Sequence, residues 1–147
     1  MIRRRLPRRD DPRIYHMIVH ELVPFTHSGY CPIIHSFAAI RKRLRSNVTF
    51  VDEHPSSRLC GFISIQVRAD VLFIDLLAVD PIVRGRGIGK SLMLTSQRYG
   101  QRTGCRESRL FVDQSNQHAL GFYRAMGYGF LNYYEQIRCY LLSKRLS

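Results

Sequence analysis

Residues 84 to 91 read Arg-Gly-Arg-Gly-Ile-Gly-Lys-Ser. Glycine mixed with cations in this way suits the holding of a phosphorylated ligand. Glycine lets the backbone come close to a ligand, and the first amides of a helix are donors without intrahelical partners that attract anions. Two nucleotide motifs fail on spacing. A Walker A loop requires a glycine five positions before Gly89, where Arg84 stands. A dinucleotide fingerprint requires G-x-G-x-x-G, whereas Gly85, Gly87 and Gly89 give G-x-G-x-G. A plain strand-to-helix turn with solvated arginines would use the same residues.

Other side chains carry chemistry of their own. Asp75 is the only ionisable residue between Val71 and Val79. A carboxylate in such a run is either a proton acceptor or half of an ion pair with one of the chain's arginines. Tyr123 lies two helical turns after Asn116; its phenol can donate a proton, or its ring can simply pack beside Ala119, Leu120, Phe122 and Met126. Asn116 is itself suited to an N-cap. Glu135 is a reserve carboxylate. His16 and His20 stand one helical turn apart, but Met17 occupies the place where a zincin needs glutamate, so they read as helix-surface residues and no metal is expected. Cys31, Cys60, Cys105 and Cys139 form no C-x-x-C pair and read as reduced thiols of a cytoplasmic protein.

These residues need elements to position them. Residues 2 to 6 read as a strand, and Asp11 as an N-cap with Pro12 opening a helix to about Val23. A loop, Pro24 to Cys31, leads to a second helix, Pro32 to Arg45. Strands follow at Val48 to Glu53, Leu59 to Arg68 and Val71 to Val79, joined by links short enough for hairpins. The third is apolar on both alternating faces and must be central. The loop Asp80 to Gly87 enters a helix from Ile88 to near Gly104. A strand Ser108 to Val112, a helix Asn116 to Met126 and two strands between Tyr128 and Leu142 complete an α/β fold: a mixed, mostly antiparallel sheet of six to seven strands flanked by about four helices.

The 147 residues fit one domain, 1–147. No apolar run reaches membrane-span length, and the arginine-rich start is followed by Asp10, Asp11 and Pro12 instead of the apolar stretch of a secretion signal. No membrane insertion is expected. The formal net charge of +12 attracts polyanions: an acidic protein, nucleic acid or a phosphorylated cofactor. The clusters Arg3 to Arg9 and Arg41 to Arg45 read as solvated faces or docking sites for such partners.

Leu77-Ala78-Val79-Asp80-Pro81 followed by Arg84-x-x-Gly87-x-Gly89 resembles motif A of the GNAT superfamily of N-acetyltransferases. Asn116-x-x-Ala119-x-x-Phe122-Tyr123-x-x-x-Gly127-Tyr128 resembles that superfamily's later helix and strand, with Tyr128 where members usually carry Phe. The resemblance is specific from Leu72 to Tyr128. It implies acetyl-CoA as cosubstrate, its pyrophosphate held by the amides of Arg86, Gly87, Ile88, Gly89 and Lys90, with Arg84, Gly85 and Ser91 alongside. It implies that pantetheine pairs with Leu77, Ala78 and Val79, where the amide of Leu77 or Ala78 polarises the acetyl carbonyl, and that Asn116, Ala119, Phe122 and Tyr123 line the cofactor groove. Tyr123 would be the general acid and Asp75 the base, through water, toward an amine of a small molecule or protein attacking directly in a ternary complex. Phe25, His27, Tyr30, Tyr133 and Tyr134 fall where the family builds acceptor pockets. The expected state is monomer or homodimer. Two other classes remain open on these residues: a catalytically idle acyl-CoA sensor or scaffold, and a basic nucleic-acid-binding protein supported by charge alone.

Overall fold

The apolar run Val71–Val79 takes the place its two-faced hydrophobicity demands, as β4 in the middle of a seven-stranded sheet ordered β1-β2-β3-β4-β5-β7-β6. The computed structural model describes residues 1–25 and 36–146. The strands are β1 (Ile2–Arg4), β2 (Val48–Glu53), β3 (Leu59–Arg68), β4, β5 (Glu107–Asp113), β6 (Gly129–Tyr134) and β7 (Cys139–Arg145). The helices are α1 (Pro7–Met17), α2 (Phe37–Ser46), α3 (Ile88–Arg102) and α4 (Gln117–Ala125). A π-helical turn, Ile18–Leu22, and a 3₁₀ turn, Val23–Phe25, extend α1. The mixed, mostly antiparallel α/β fold read from the sequence is the fold observed.

Only β4 and β5 run parallel, and they are joined by four residue pairs, from Val71 opposite Glu107 to Ile74 opposite Leu110. Beyond that point they part. Leu76 to Val79 pair with β3 alone, and Phe111 to Asp113 with β7 alone. A bulge lies at the parting: Ile65 faces Ile74 and Ser64 faces Leu76, so Asp75 has no partner on β3. One extra residue exchanges the faces of everything after it. Leu72 and Ile74 therefore enter one core, with Ile63, Leu92, Met93 and Leu110 under α3 and α4, whereas Leu76 and Ala78 enter the other, with Ile14, Ile40, Leu44 and Phe62 under α1 and α2.

The start of the chain departs from expectation. Helix α1 opens at Pro7, not Pro12, because the buried Asp10 accepts the Leu6 amide at 2.7 Å from inside the helix and closes its first turn. Asp10 also takes both ends of the Arg3 guanidinium, at 2.8 and 2.9 Å, and Asp11 takes Arg5. Glu53 of β2 receives Arg3 at 2.8 Å and also Arg9. Burial pushes the Asp10 carboxyl up, but the Arg3 and Leu6 bonds outweigh it and hold the group below its ordinary value. Arg3, Arg5 and Arg9 thus brace β1 and α1 against β2, while Arg4 and Arg8 remain exposed. Helix α2 starts at Phe37, where Ser36 accepts the Ala39 amide at 3.0 Å; the expected start at Pro32 lies outside the described residues.

Candidate active site

Loop 80–87 is shaped at its first residue. Asp80, buried, accepts the Ile82 amide at 3.0 Å and pairs with Arg13 of α1 at 2.8 Å and Arg58 at 2.9 Å. Burial alone pushes this carboxyl up; the Ile82 amide and the two arginines bring it below its ordinary value. The sequence reading missed this role, although an Asp-Pro pair is a turn signal that could have shown it. Arg84, expected beside a pyrophosphate, is drawn aside by an ion pair with Glu21 of the π-helical turn.

After Arg84 the loop amides lack partners among the described residues. Gly85 and Gly87 adopt left-handed conformations, with φ of +82° and +77°. Gly87 caps α3 without a side chain, and its carbonyl accepts the first intrahelical bond, from Ser91, at 3.0 Å. The amides of Arg86, Gly87, Ile88, Gly89 and Lys90 make no hydrogen bond among the described residues. Five donors at a helix N-terminus, with Arg86 and Lys90 exposed beside them, form a site for a multiply charged anion. Gly89 sits close to both neighbours: a Cβ there would be in ordinary contact, 3.4 Å from the Phe122 ring and 3.6 Å from Val79 Cγ2. The start of α3, the end of β4 and the middle of α4 therefore converge.

The backbone of β4 decides which amides face the gap. Asp80 N–H donates to the Cys60 carbonyl on β3 at 2.8 Å. Amides alternate edges along a strand, so Ala78 turns to β3 while Leu77 and Val79 point into the fork. Of Leu77 and Ala78, it is therefore Leu77 whose amide is free to donate into the gap.

On α4, Asn116 Oδ1 accepts the Ala119 amide at 3.1 Å, which is the N-cap read from the sequence. Its Nδ2 makes no hydrogen bond among the described residues. Ala119, Phe122 and Tyr123 pack, half-buried, on the α3–α4 core. The Tyr123 ring meets Phe122 edge-on at 5.2 Å and Tyr128 at 6.0 Å. Its hydroxyl makes no hydrogen bond among the described residues, and desolvation, then the neighbouring Tyr128, raises its pKa well above the ordinary phenol value. Tyr128 is different: its hydroxyl bonds to Ser108 at 2.7 Å and to Gln97 at 3.3 Å in the core. The phenol in place of the family's usual phenylalanine is spent on structure.

Asp75 does not stand as a waiting base. Its carboxylate receives the Arg43 guanidinium from α2 (2.8 Å from Nε) and the Asn47 amide at 2.8 Å. The bulge turns it toward α2, and the paired arginine foreseen as the alternative is what occupies it. Glu135, in the turn after β6, is exposed and has no ion pair among the described residues. Tyr133 donates to Gln114 at 2.6 Å, and Tyr134 meets Phe111 edge-on. His27 and Tyr30 lie outside the described residues, as does the side chain of Phe25. Among the described residues there is no group of three metal-ligating side chains and no helix long and apolar enough to cross a membrane.

A loop of unpaired amides at the mouth of a forked sheet is the setting the two sequence motifs imply, and the profile of the acetyltransferase (GNAT) family matches residues 13–128. The chain belongs to that family. An uncharacterized N-acetyltransferase of Methanocaldococcus jannaschii is 36% identical over 69 residues, which cover 47% of this chain and 30% of that one. A spermidine N(1)-acetyltransferase of Thermoplasma acidophilum is 27% identical over 60% of this chain and 55% of its own. The matches thus span less than two thirds of these relatives' lengths. Among solved structures, the PaiA N-acetyltransferase of Thermoplasma acidophilum in complex with coenzyme A superposes with a TM-score of 0.76 at 21% identity, covering 99% of both chains. That likeness is one of fold.

Proposed function

We propose that this GNAT protein is an acetyl-CoA-dependent N-acetyltransferase that passes the acetyl group directly to a primary amine of a small molecule or protein. The carrying observation is the run of five unpaired amides from Arg86 to Lys90, set against the opening between β4 and β5. Acetyl-CoA supplies an acetyl group activated as a thioester. The loop amides, with Arg86 and Lys90, hold its pyrophosphate, and Arg84 braces the loop through its ion pair with Glu21. Asn116 Nδ2 donates to the pantetheine. The Leu77 amide holds the carbonyl oxygen as the amine nitrogen attacks and negative charge grows there.

Tyr123 completes the transfer. Its phenol, its pKa raised by desolvation and by Tyr128, stays protonated at neutral pH and gives that proton to sulfur as the C–S bond breaks. The amine loses one proton to water as the C–N bond forms, and water returns one to the phenol, so the protons balance. With Asp75 committed to Arg43, Glu135 is the exposed carboxylate to accept protons from that water.

Acetyl-CoA binding the native state should raise the melting temperature, by the equivalent of about 2.7 kcal/mol at a hundredfold excess over Kd. Gly87→Asp sets a carboxylate before the five amides and should abolish that rise. Gly87→Ala carries the same positive-φ strain, on the order of 1 kcal/mol, without charge and should keep most of it. An undiminished rise in a folded Gly87→Asp variant overturns the loop assignment.

A further inference from the structure

The described residues leave one face of the sheet uncovered beside the fork. On β5, Leu110 and Val112 enter the α3–α4 core, so Phe111 between them points to the opposite face, where it is 44% exposed. On β4, Phe73 stands between Leu72 and Ile74 of the same core and points the same way. The Phe73 and Phe111 rings lie 5.7 Å apart. Tyr134 of β6 meets Phe111 edge-on at 5.6 Å and is 37% exposed. Phe111 is also the first residue of β5 past its last pairing with β4. The row of rings therefore begins at the fork, on the face that Asp75 shares with α2.

The charges on this face limit what can lie there. Asp75 is taken by Arg43 and Asn47. Glu107 takes both ends of Arg109, at 2.9 Å each, and the Ser143 hydroxyl at 2.6 Å. Asp113 accepts the Ser115 amide and hydroxyl at 2.9 and 2.7 Å. Asp70, in the turn before β4 and close enough to act on Arg109, and Glu135 at the rim are the carboxylates that remain. A polyamine, with two or more ammonium groups to seat, finds rings and neutralised pairs where it needs acids. An aromatic group finds three ring edges and faces at the spacing that edge-to-face packing prefers.

Resting on the acetyltransferase reading, the geometry points to an acceptor class: a small monoamine whose nitrogen is joined by a short linker to an aromatic body. The body lies on Phe73, Phe111 and Tyr134, and the nitrogen reaches over the edge of β4 to the carbon beside the Leu77 amide. The contact surface begins at the reacting edge, so its occupant is the part of the substrate next to the amine.

The test is an acetyl-transfer panel read as free CoA thiol, with 2-phenylethylamine, tryptamine, propylamine, spermidine and an alanine-initiated peptide as acceptors. The aromatic amines should exceed propylamine in kcat/KM by about tenfold, from burial of their ring together with its edge-to-face contacts. Phe111→Ala should remove most of that advantage through KM. It should lower kcat/KM for propylamine far less than for the aromatic amines and leave the acetyl-CoA melting shift in place. A preference for spermidine or the peptide, or an aromatic advantage that survives Phe111→Ala, overturns the acceptor class while leaving the acetyltransferase reading intact. No turnover of any amine together with no melting shift overturns both.

Discussion

The first half of the chain and the mouth of the fork treat polar groups in opposite ways. Around β1, α1 and α2 the carboxylates are committed: Asp10 to Arg3, Asp11 to Arg5, Glu53 to Arg3 and Arg9, Asp75 to Arg43, Asp80 to Arg13 and Arg58. At the fork, the amides of Arg86 to Lys90, Asn116 Nδ2 and the Tyr123 hydroxyl have no hydrogen-bond partner among the described residues. These groups face the opening, where water or a ligand can satisfy them. Finding them together, at one opening in a protein that pairs its charges so consistently elsewhere, separates site from scaffold.

The comparison breaks most visibly at Tyr123. Tyr123→Phe keeps the ring against Phe122 and Tyr128 and should keep the acetyl-CoA melting shift, while turnover falls by about 10²-fold or more. A loss under about threefold, with chemistry rate-limiting, would return Tyr123 to the scaffold. Asp75→Asn should do the reverse. It removes the charge that Arg43 is paired with, costing about 2 kcal/mol of stability, and leaves turnover of the folded fraction nearly unchanged. A catalytic defect that shrinks as pH rises, where more amine is already neutral, would instead make Asp75 the base.

Acid should test the scaffold side next. Because the folded pKa of Asp10 lies below its ordinary value of 3.8, the stability it contributes is fully present above that value and fades as pH falls through the lowered folded one. Asp10→Asn should flatten the acid limb of melting temperature against pH. An unchanged limb would mean the Arg3 pair contributes nothing net. Ser96 gives the smallest effect: its hydroxyl is buried in α3 without a partner, an unmatched group outside the fork. Ser96→Ala should raise stability by up to about 1 kcal/mol, with turnover unaltered. A loss of turnover would put Ser96 on the functional side of the comparison.

Strands β2, β3 and β4 were legible to the residue, because their alternation is local and their bounding turns are polar. The loop from Arg84 to Gly89 and the α4 motif were legible as patterns of residue type and spacing. What escaped the sequence depends on contacts between distant residues. Asp10 and Asp11 look like the start of a helix until Arg3 and Arg5 come back across the sheet edge. Asp75 looks like a buried base until α2 delivers Arg43, 32 positions away. Arg84 looks like a ligand clamp until Glu21 arrives from 63 positions away. The choice between the Leu77 and Ala78 amides needed the β3 register, and the exchange of faces after Asp75 needed the bulge.

The fork also means that the most central strand is only half shielded from water over its last turns of pleat. Ala78 and Asp80 turn their amide protons to β3, whereas Leu77 and Val79 hold theirs toward an opening lined by no neighbouring strand. In deuterated solvent the strand should therefore label in a one-on, one-off rhythm, with Leu77 and Val79 losing protium at rates ordinary for a surface loop. A bound pantetheine arm would complete the sheet as a strand of foreign chemistry and silence that rhythm.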